Sequence, residues 1–257
     1  MDKKVILISV DGMRPDGMQR CNNSFVKELE KLCTYNYGSR SVVPSITLPC
    51  HFSMSHSVPP QRHGILSNTY VPQVRPVKGI FEKVTEMGGV AGMVYGWDQI
   101  HDIASPGSIY FSSYWMAYSA PHTDTVLTDH AMNIIDIHKP DLMFVYMVET
   151  DEKGGHENGW MSEEYLNRIN IAIENTKRLF DKYKDEYSII LMADHGGHDR
   201  SHGTEMAEDM TVPLFLYGPD FEKGKTIEDT SLLDIAPTIA KILGINPDPD
   251  WEGRALF

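Results

Sequence analysis

Thr47 lies in the stretch SITLPCH, residues 45–51, where its hydroxyl stands at an expected helix start. Asp11 precedes it in SVDG. Asp151 and His156 follow in TDEKGGH, and Asp194, His195 and His202 in ADHGGHDRSHG. Carboxylates gathered in one place repel each other unless a cation sits between them. A mixed Asp/His set suits zinc, and manganese or iron less specifically. Six such ligands and a hydroxyl are about what a two-metal site needs, in which ions about 3.5–4 Å apart clamp the attacking and leaving oxygens of an in-line displacement at phosphorus. A threonine hydroxyl is a weak nucleophile, but coordination lowers its pKa and makes it an alkoxide. Backbone N–H groups at a helix start favour a phosphate oxyanion, and Asn68 in GILSNTY is a candidate side-chain donor to the same oxygen. Taken singly, Asp11 reads as a turn cap, Thr47 as a helix N-cap, and each histidine as a hydrogen-bonded core residue. Their joint occurrence in one ordered pattern favours the metal site.

Something must bring these distant residues together. Three apolar runs, Val5–Val10, Leu142–Val148 and Tyr187–Met192, read as buried strands, and each ends within a few residues of Asp11, Asp151 or Asp194. Amphipathic helices are expected over 24–33, 79–87, 124–138, 163–182 (capped by Ser162) and 235–243 (capped by Asp234 and closed by Gly244). Further strands are expected at 90–95 and 212–217. Residues 57–78 read as loop, and the region 69–122 as holding a small cap or insertion. Strands alternating with helices predict an α/β fold: one domain over 1–257, with a mainly parallel central sheet flanked by helices on both faces. Such sheets bind ligands beyond the carboxyl ends of their strands, the edge where the three aspartates fall.

The motifs VDGMRPD, PSITLPCH, HGILSNT, DEKGGHENG and ADHGGHDRSHG, in this order, resemble the alkaline phosphatase superfamily. Within it the similarity is to the nucleotide pyrophosphatase/phosphodiesterase (type I phosphodiesterase) branch, and it spans residues 5 to about 220. The resemblance implies an alkaline phosphatase-like fold and one metal held by Asp11, Thr47, Asp194 and His195. It implies a second metal held by Asp151, His156 and His202, Thr47 as the nucleophile of a covalent phospho-enzyme, and Asn68 as an oxyanion donor. Related sequences place the histidine four residues after the aspartate. Here Asp151 and His156 are five apart, with Gly154-Gly155 doubled, which leaves Glu152 or Glu149 as alternative ligands; His198, four residues before His202, is a further open position.

The net charge of −13 argues against a general nucleic-acid binder, which needs a basic face. An anionic substrate is compatible with it once bound cations invert the local field. Three cysteines without a CxxC pair, and an opening MDKKVILISVDG too short for a signal segment, point to a reducing cytoplasm. No run reaches the length of a membrane span. The expected activity is hydrolysis of phosphodiester or nucleotide pyrophosphate bonds in a small substrate such as a nucleotide. A phosphomonoesterase is the runner-up, with Arg14 the nearest candidate for a phosphate clamp. A sulfatase is disfavoured, because it needs Cys or Ser where Thr47 stands and Arg where His51 stands. A non-catalytic relative would have lost the nucleophile or several ligands, and here the set is complete.

Overall fold

The computed structural model describes residues 1–117 and 121–257. Its centre is a seven-stranded sheet in the order β2-β7-β6-β1-β5-β3-β4. The strands are β1 (Val5–Val10), β2 (Thr34–Arg40), β3 (Ala91–Tyr95), β4 (Phe111–Tyr114), β5 (Leu142–Met147), β6 (Ser188–Met192) and β7 (Thr211–Tyr217). The pairs β1–β5, β1–β6, β3–β5 and β3–β4 are parallel, whereas β7 runs antiparallel to both β6 and β2. Every residue of β1, β5, β3 and β6 is buried, so these strands show unbroken apolar runs and no in–out alternation.

The helices are α1 (Pro15–Arg20), α2 (Ser24–Leu32), α3 (Thr47–His56), α4 (Pro60–His63), α5 (Ile80–Glu86), α6 (Thr123–His138), α7 (Glu163–Tyr183), α8 (Ala207–Met210) and α9 (Ile235–Leu243). One group, α3, α5 and α9, and another, α1, α2, α6 and α7, flank the sheet. The capping chemistry is largely local. Asn23 accepts from the Phe25 N–H at the start of α2, and Ser162 accepts from the Tyr165 N–H at the start of α7. Gly244 ends α9 in the left-handed region at φ 71°. Asp234 makes no side-chain cap to α9; it accepts instead from the N–H groups of Ser231 and Arg254.

The region 69–122, expected to hold a small cap, supplies α5, β3 and β4 to the central fold, and β4 forms one edge of the sheet. A 3₁₀ segment, Asp98–Ile103, follows β3. Residues 118–120 of that region lie outside the described residues. Five of the helices and strands were not expected from the sequence: the short helices α1, α4 and α8 and the strands β2 and β4. Of these, β2 (TYNYGSR) is only partly buried, and α4 is a single turn inside the expected loop. Among the described residues, no helix is long and apolar enough to cross a membrane.

Candidate metal centre

The three aspartate-bearing strands are neighbours in the sheet, in the order β6-β1-β5. Asp11 directly follows β1, Asp194 lies two residues past β6, and Asp151 lies four past β5. The chain must turn sharply after Asp11, and Gly12 does so at φ 65°. A Cβ at Gly12 would come within 2.8 Å of Asp151 Oδ1, while its N–H donates to Asp194 Oδ1 at 3.2 Å. The DG pair therefore lets two loops close on the strand end and fixes one carboxylate.

Two groups of ligand atoms, each within 4.8 Å of one another, stand out among the described residues: Asp11, Asp194 and His195, and Asp151, His195 and His202. His195 Nε2 is central. It lies 3.2 Å from Asp11 Oδ1, 3.4 Å from Asp194 Oδ2 and 3.3 Å from Thr47 Oγ1. His202 Nε2 is 3.9 Å from Asp151 Oδ1, and its ring stacks on His195 with centroids 3.9 Å apart. All three expected histidines have Nδ1 beside a backbone carbonyl: His195 at Gly196 O (2.8 Å), His202 at Ser45 O (2.9 Å) and His156 at Arg200 O (3.0 Å). A carbonyl can only accept, so Nδ1 carries the proton and Nε2 is left as a lone-pair donor toward the site. Metal-binding histidines are commonly oriented in this way.

The residues fit divalent ions on a second count. Five buried side-chain oxygens among the described residues have no hydrogen-bond partner, and three of them are Asp11 Oδ1, Asp151 Oδ1 and Asp194 Oδ2. Leaving carboxylate oxygens buried and unpaired is costly, and a cation between them removes the cost. Without one, the cluster takes up protons. Burial and the Asp11 charge push the Asp194 carboxyl well up. Burial opposes protonation of His195, but the Asp194 and Asp11 carboxylates outweigh it and raise its pKa to about 10. Burial also works against ionised Asp11, yet His195, His51 and the Tyr146 phenol hold that carboxyl at about 2.

The five-residue spacing from Asp151 to His156 has a structural answer. Residues Thr150–His156 form a π-helical turn, whose wider repeat absorbs the additional residue. His156 Nε2 thus comes to 3.3 Å from Asp151 Oδ2. Asp151 raises the His156 pKa to about 9 against the effect of partial burial. His156 flanks Asp151 on the oxygen opposite His202, outside the two tighter groups. The doubled glycine serves packing: a Cβ on Gly155 would meet the Trp160 ring at 2.5 Å, and one on Gly197 would meet the same ring at 2.2 Å. Trp160 is thus wedged between the two ligand-bearing loops, with its Nε1 donating to Gly12 O at 3.0 Å. Gly155→Ala should lower the melting temperature by about 5 °C, from an overpacking cost of about 2 kcal/mol. An unchanged melting curve would show that the loop absorbs the methyl group freely.

Thr47 is the first residue of α3, buried, and it lines a pocket with Asp11, Asn68, Asp151, His156 and His202. The Leu48 N–H, expected to be open to a phosphate, donates instead to Asn68 Oδ1 at 3.0 Å. That bond anchors the Asn68 amide beside Thr47 and leaves its Nδ2 as the donating end. Two supporting side chains lie beneath. His51 Nδ1 donates to Thr47 O (2.9 Å), lies 3.3 Å from Asp194 Oδ2, and has Nε2 2.8 Å from Ser9 Oγ. Burial lowers its pKa to about 4, so this imidazole is neutral, and the Ser9 hydroxyl donates to Nε2. Tyr146, a core-strand aromatic that also lines the pocket, donates its phenol to Asp11 Oδ2.

Several open positions are now placed. Glu149 accepts from Lys153 Nζ and lies 3.5 Å from Arg168, so its carboxylate serves a charge cluster behind the π turn. Glu152 lines the pocket; burial, and then the Asp151 charge, raise its carboxyl from the ordinary value. The segment bearing His198 and His202 is not helical, and His198 Nδ1 turns to Asp209 Oδ1 at 2.7 Å. Arg14 is held by Asp16 and by the Gly197 carbonyl at 3.0 Å, and it does not line the Thr47 pocket.

Known proteins share this fold. The family model "Metalloenzyme superfamily" matches residues 73–247, and "Type I phosphodiesterase / nucleotide pyrophosphatase" matches residues 5–88. Murine ectonucleotide pyrophosphatase / phosphodiesterase 5, in an inactive form in complex with AMP, superposes with a TM-score of 0.79 at 15% identity, covering 96% of each chain. The phosphonate monoester hydrolase from Silicibacter pomeroyi gives 0.77 at 14% identity, over 99% of this chain and 76% of that one. A 2-O GAG sulfatase gives 0.78 at 14% identity, over 100% of this chain and 73% of that one. The chain belongs to the metalloenzyme superfamily, with an alkaline phosphatase-like fold, and is a metal-dependent phosphoester hydrolase by class. The type I phosphodiesterase / nucleotide pyrophosphatase match covers the segment that carries Asp11, Thr47 and Asn68.

Proposed function

We propose that the protein hydrolyses phosphodiester or nucleotide pyrophosphate bonds in small substrates through a covalent intermediate on Thr47. The observation that carries this is the position of Thr47 Oγ1, 3.3 Å from His195 Nε2 at the edge where three unpaired carboxylate oxygens converge. Two divalent ions, with zinc the favoured identity, would be held by Asp11, Thr47, Asp194 and His195 and by Asp151, His156 and His202. When bound, they supply Lewis-acid stabilisation of the charge that develops on the phosphoryl oxygens and activate the hydroxyl. Thr47 Oγ1 forms the bond to phosphorus as the alcohol or phosphate leaving group departs. A water then breaks the phosphothreonine bond and frees Thr47. Asn68 Nδ2 donates to a non-bridging oxygen, with the Leu48 N–H to Asn68 Oδ1 bond setting its direction.

A diester is favoured over a monoester because no Lys or Arg lines the Thr47 pocket among the described residues, so a second phosphate charge has no clamp. A sulfate ester is disfavoured by the threonine at the nucleophile position. The deciding assay uses protein reconstituted with zinc or manganese and offered bis-p-nitrophenyl phosphate, p-nitrophenyl phosphate and p-nitrophenyl sulfate. The diester should have the highest kcat/KM. Preferential sulfate release would overturn the proposal.

A further inference from the structure

The pocket around Thr47 contains a carboxylate that neither ligand group uses. Glu152 lies within the π-helical turn Thr150–His156 and lines the pocket with Thr47, Asn68 and Trp97. Its side chain has no hydrogen-bond or ion-pair partner among the described residues. Nearby basic groups are committed elsewhere: Lys153 Nζ reaches Glu149 Oε1 at 2.5 Å, Arg168 pairs with Glu164, and His156 turns its Nε2 to Asp151 Oδ2 at 3.3 Å. A phosphoryl group at Thr47 would share the pocket with both the ligand cluster and this carboxylate. Such a charge about 7 Å from a second substrate charge, at an effective dielectric of ~20–40, changes relative rates by about tenfold or more.

We infer that Glu152 is a specificity-determining residue, a charge filter that admits phosphodiester monoanions with uncharged substituents and disfavours monoester dianions and polyanionic phosphate chains. The inference rests on the phosphodiesterase proposal and narrows it, favouring simple diesters over nucleotide pyrophosphate bonds. Sequence alone offered Glu152 as a substitute ligand for His156. With His156 drawn to Asp151 by the π turn, the carboxylate is available for this second role.

The test compares metal-loaded wild type with Glu152→Gln at pH 8 and low ionic strength. The substrates are bis-p-nitrophenyl phosphate, p-nitrophenyl phosphate and a nucleoside triphosphate, and the readout is the ratio of kcat/KM values. In Glu152→Gln the diester-to-monoester ratio should fall about tenfold, and the diester-to-triphosphate ratio further. Added salt should lower the wild-type ratios and leave those of the variant nearly flat. Glu152→Asp, which keeps the charge, should keep most of the preference. Ratios that stay within about twofold of wild type would overturn the inference. So would an equal loss on all three substrates with weakened metal binding by calorimetric titration, which would make Glu152 a ligand. The salt series on wild type decides even if the variant folds poorly. If loaded wild type cleaves none of the three substrates, it is the phosphodiesterase proposal that fails.

Discussion

Thr47→Ala should reduce phosphodiester turnover by about 10⁴-fold or more, while the protein still folds and still binds divalent metal. Removing a nucleophile in enzymes with covalent intermediates typically costs several orders of magnitude, leaving only the rate from binding and electrostatics. The fold should tolerate the change. Thr47 begins α3, but Ile46 occupies the N-cap and makes no side-chain cap bond, so no cap is lost. Metal content should persist because Asp11, Asp194, His195, Asp151 and His202 keep their positions without Oγ1. Thr47→Ser retains the hydroxyl and should keep activity within about 100-fold of wild type. Three measurements check this together: kcat on bis-p-nitrophenyl phosphate, metal per chain, and the melting temperature. An alanine variant with more than a tenth of wild-type kcat, its metal content intact, would remove Thr47 from the chemistry.

Much of this arrangement was legible because burial and strand ends leave strong marks in sequence. VILISV, LMFVYMV and YSIILM are strands buried on both faces, and the parallel fold they imply forces Asp11, Asp151 and Asp194 to a common edge. What sequence could not supply was the local geometry that decides which side chain turns where. The Asp151–His156 spacing stood out because related sequences have one residue fewer between aspartate and histidine. A π turn accommodates the additional residue, and nothing in DEKGGH announces such a turn. His198 and His202 would share a face only in a helical turn, but the chain folds back in a tight turn closed by the His198–Ser201 pair, and Asp209 draws His198 away. Trp160 went unnoticed because its role comes from contact: two glycine pairs some forty residues apart leave room for one indole. The signal was present in those pairs, each beside a ligand motif, but it marks close approach without naming what approaches. His51 and Tyr146 were ambiguous for a similar reason. A buried histidine or tyrosine reads as packing until its polar atom is seen against Thr47 O, Asp194 or Asp11. The edge strands β2 and β4 were missed or left unplaced because half-exposed, short strands lack the unbroken apolar run.

Stripping divalent metal with a chelator should abolish turnover and destabilise the fold, and the destabilisation should grow with pH. In the metal-free cluster the Asp194 carboxyl is raised well above its ordinary value, and His195 is raised from 6.5 to about 10. For both groups the folded state holds protons more tightly than the unfolded chain does. Their contribution is fully present below the unfolded pKa and is lost as pH climbs through the folded one. Between about pH 6.5 and pH 10 the loss of the His195 contribution therefore weakens the metal-free fold as pH rises, and the raised Asp194 carboxyl acts in the same direction above its unfolded value. Asp11, held at about 2, acts in the opposite sense only below pH 4, outside that window. A divalent ion takes the place of those protons, so binding expels them and tightens with pH. With metal at about 1,000 times its dissociation constant, the stabilisation is about 4 kcal/mol, or about 10 °C in melting temperature. The gap between metal-loaded and chelated protein should thus be clearly larger at pH 8 than at pH 6, and activity should return when zinc or manganese is restored. A gap that stays constant or narrows as pH rises would mean that the cluster is neutralised without a cation, and the metal centre would then lie elsewhere.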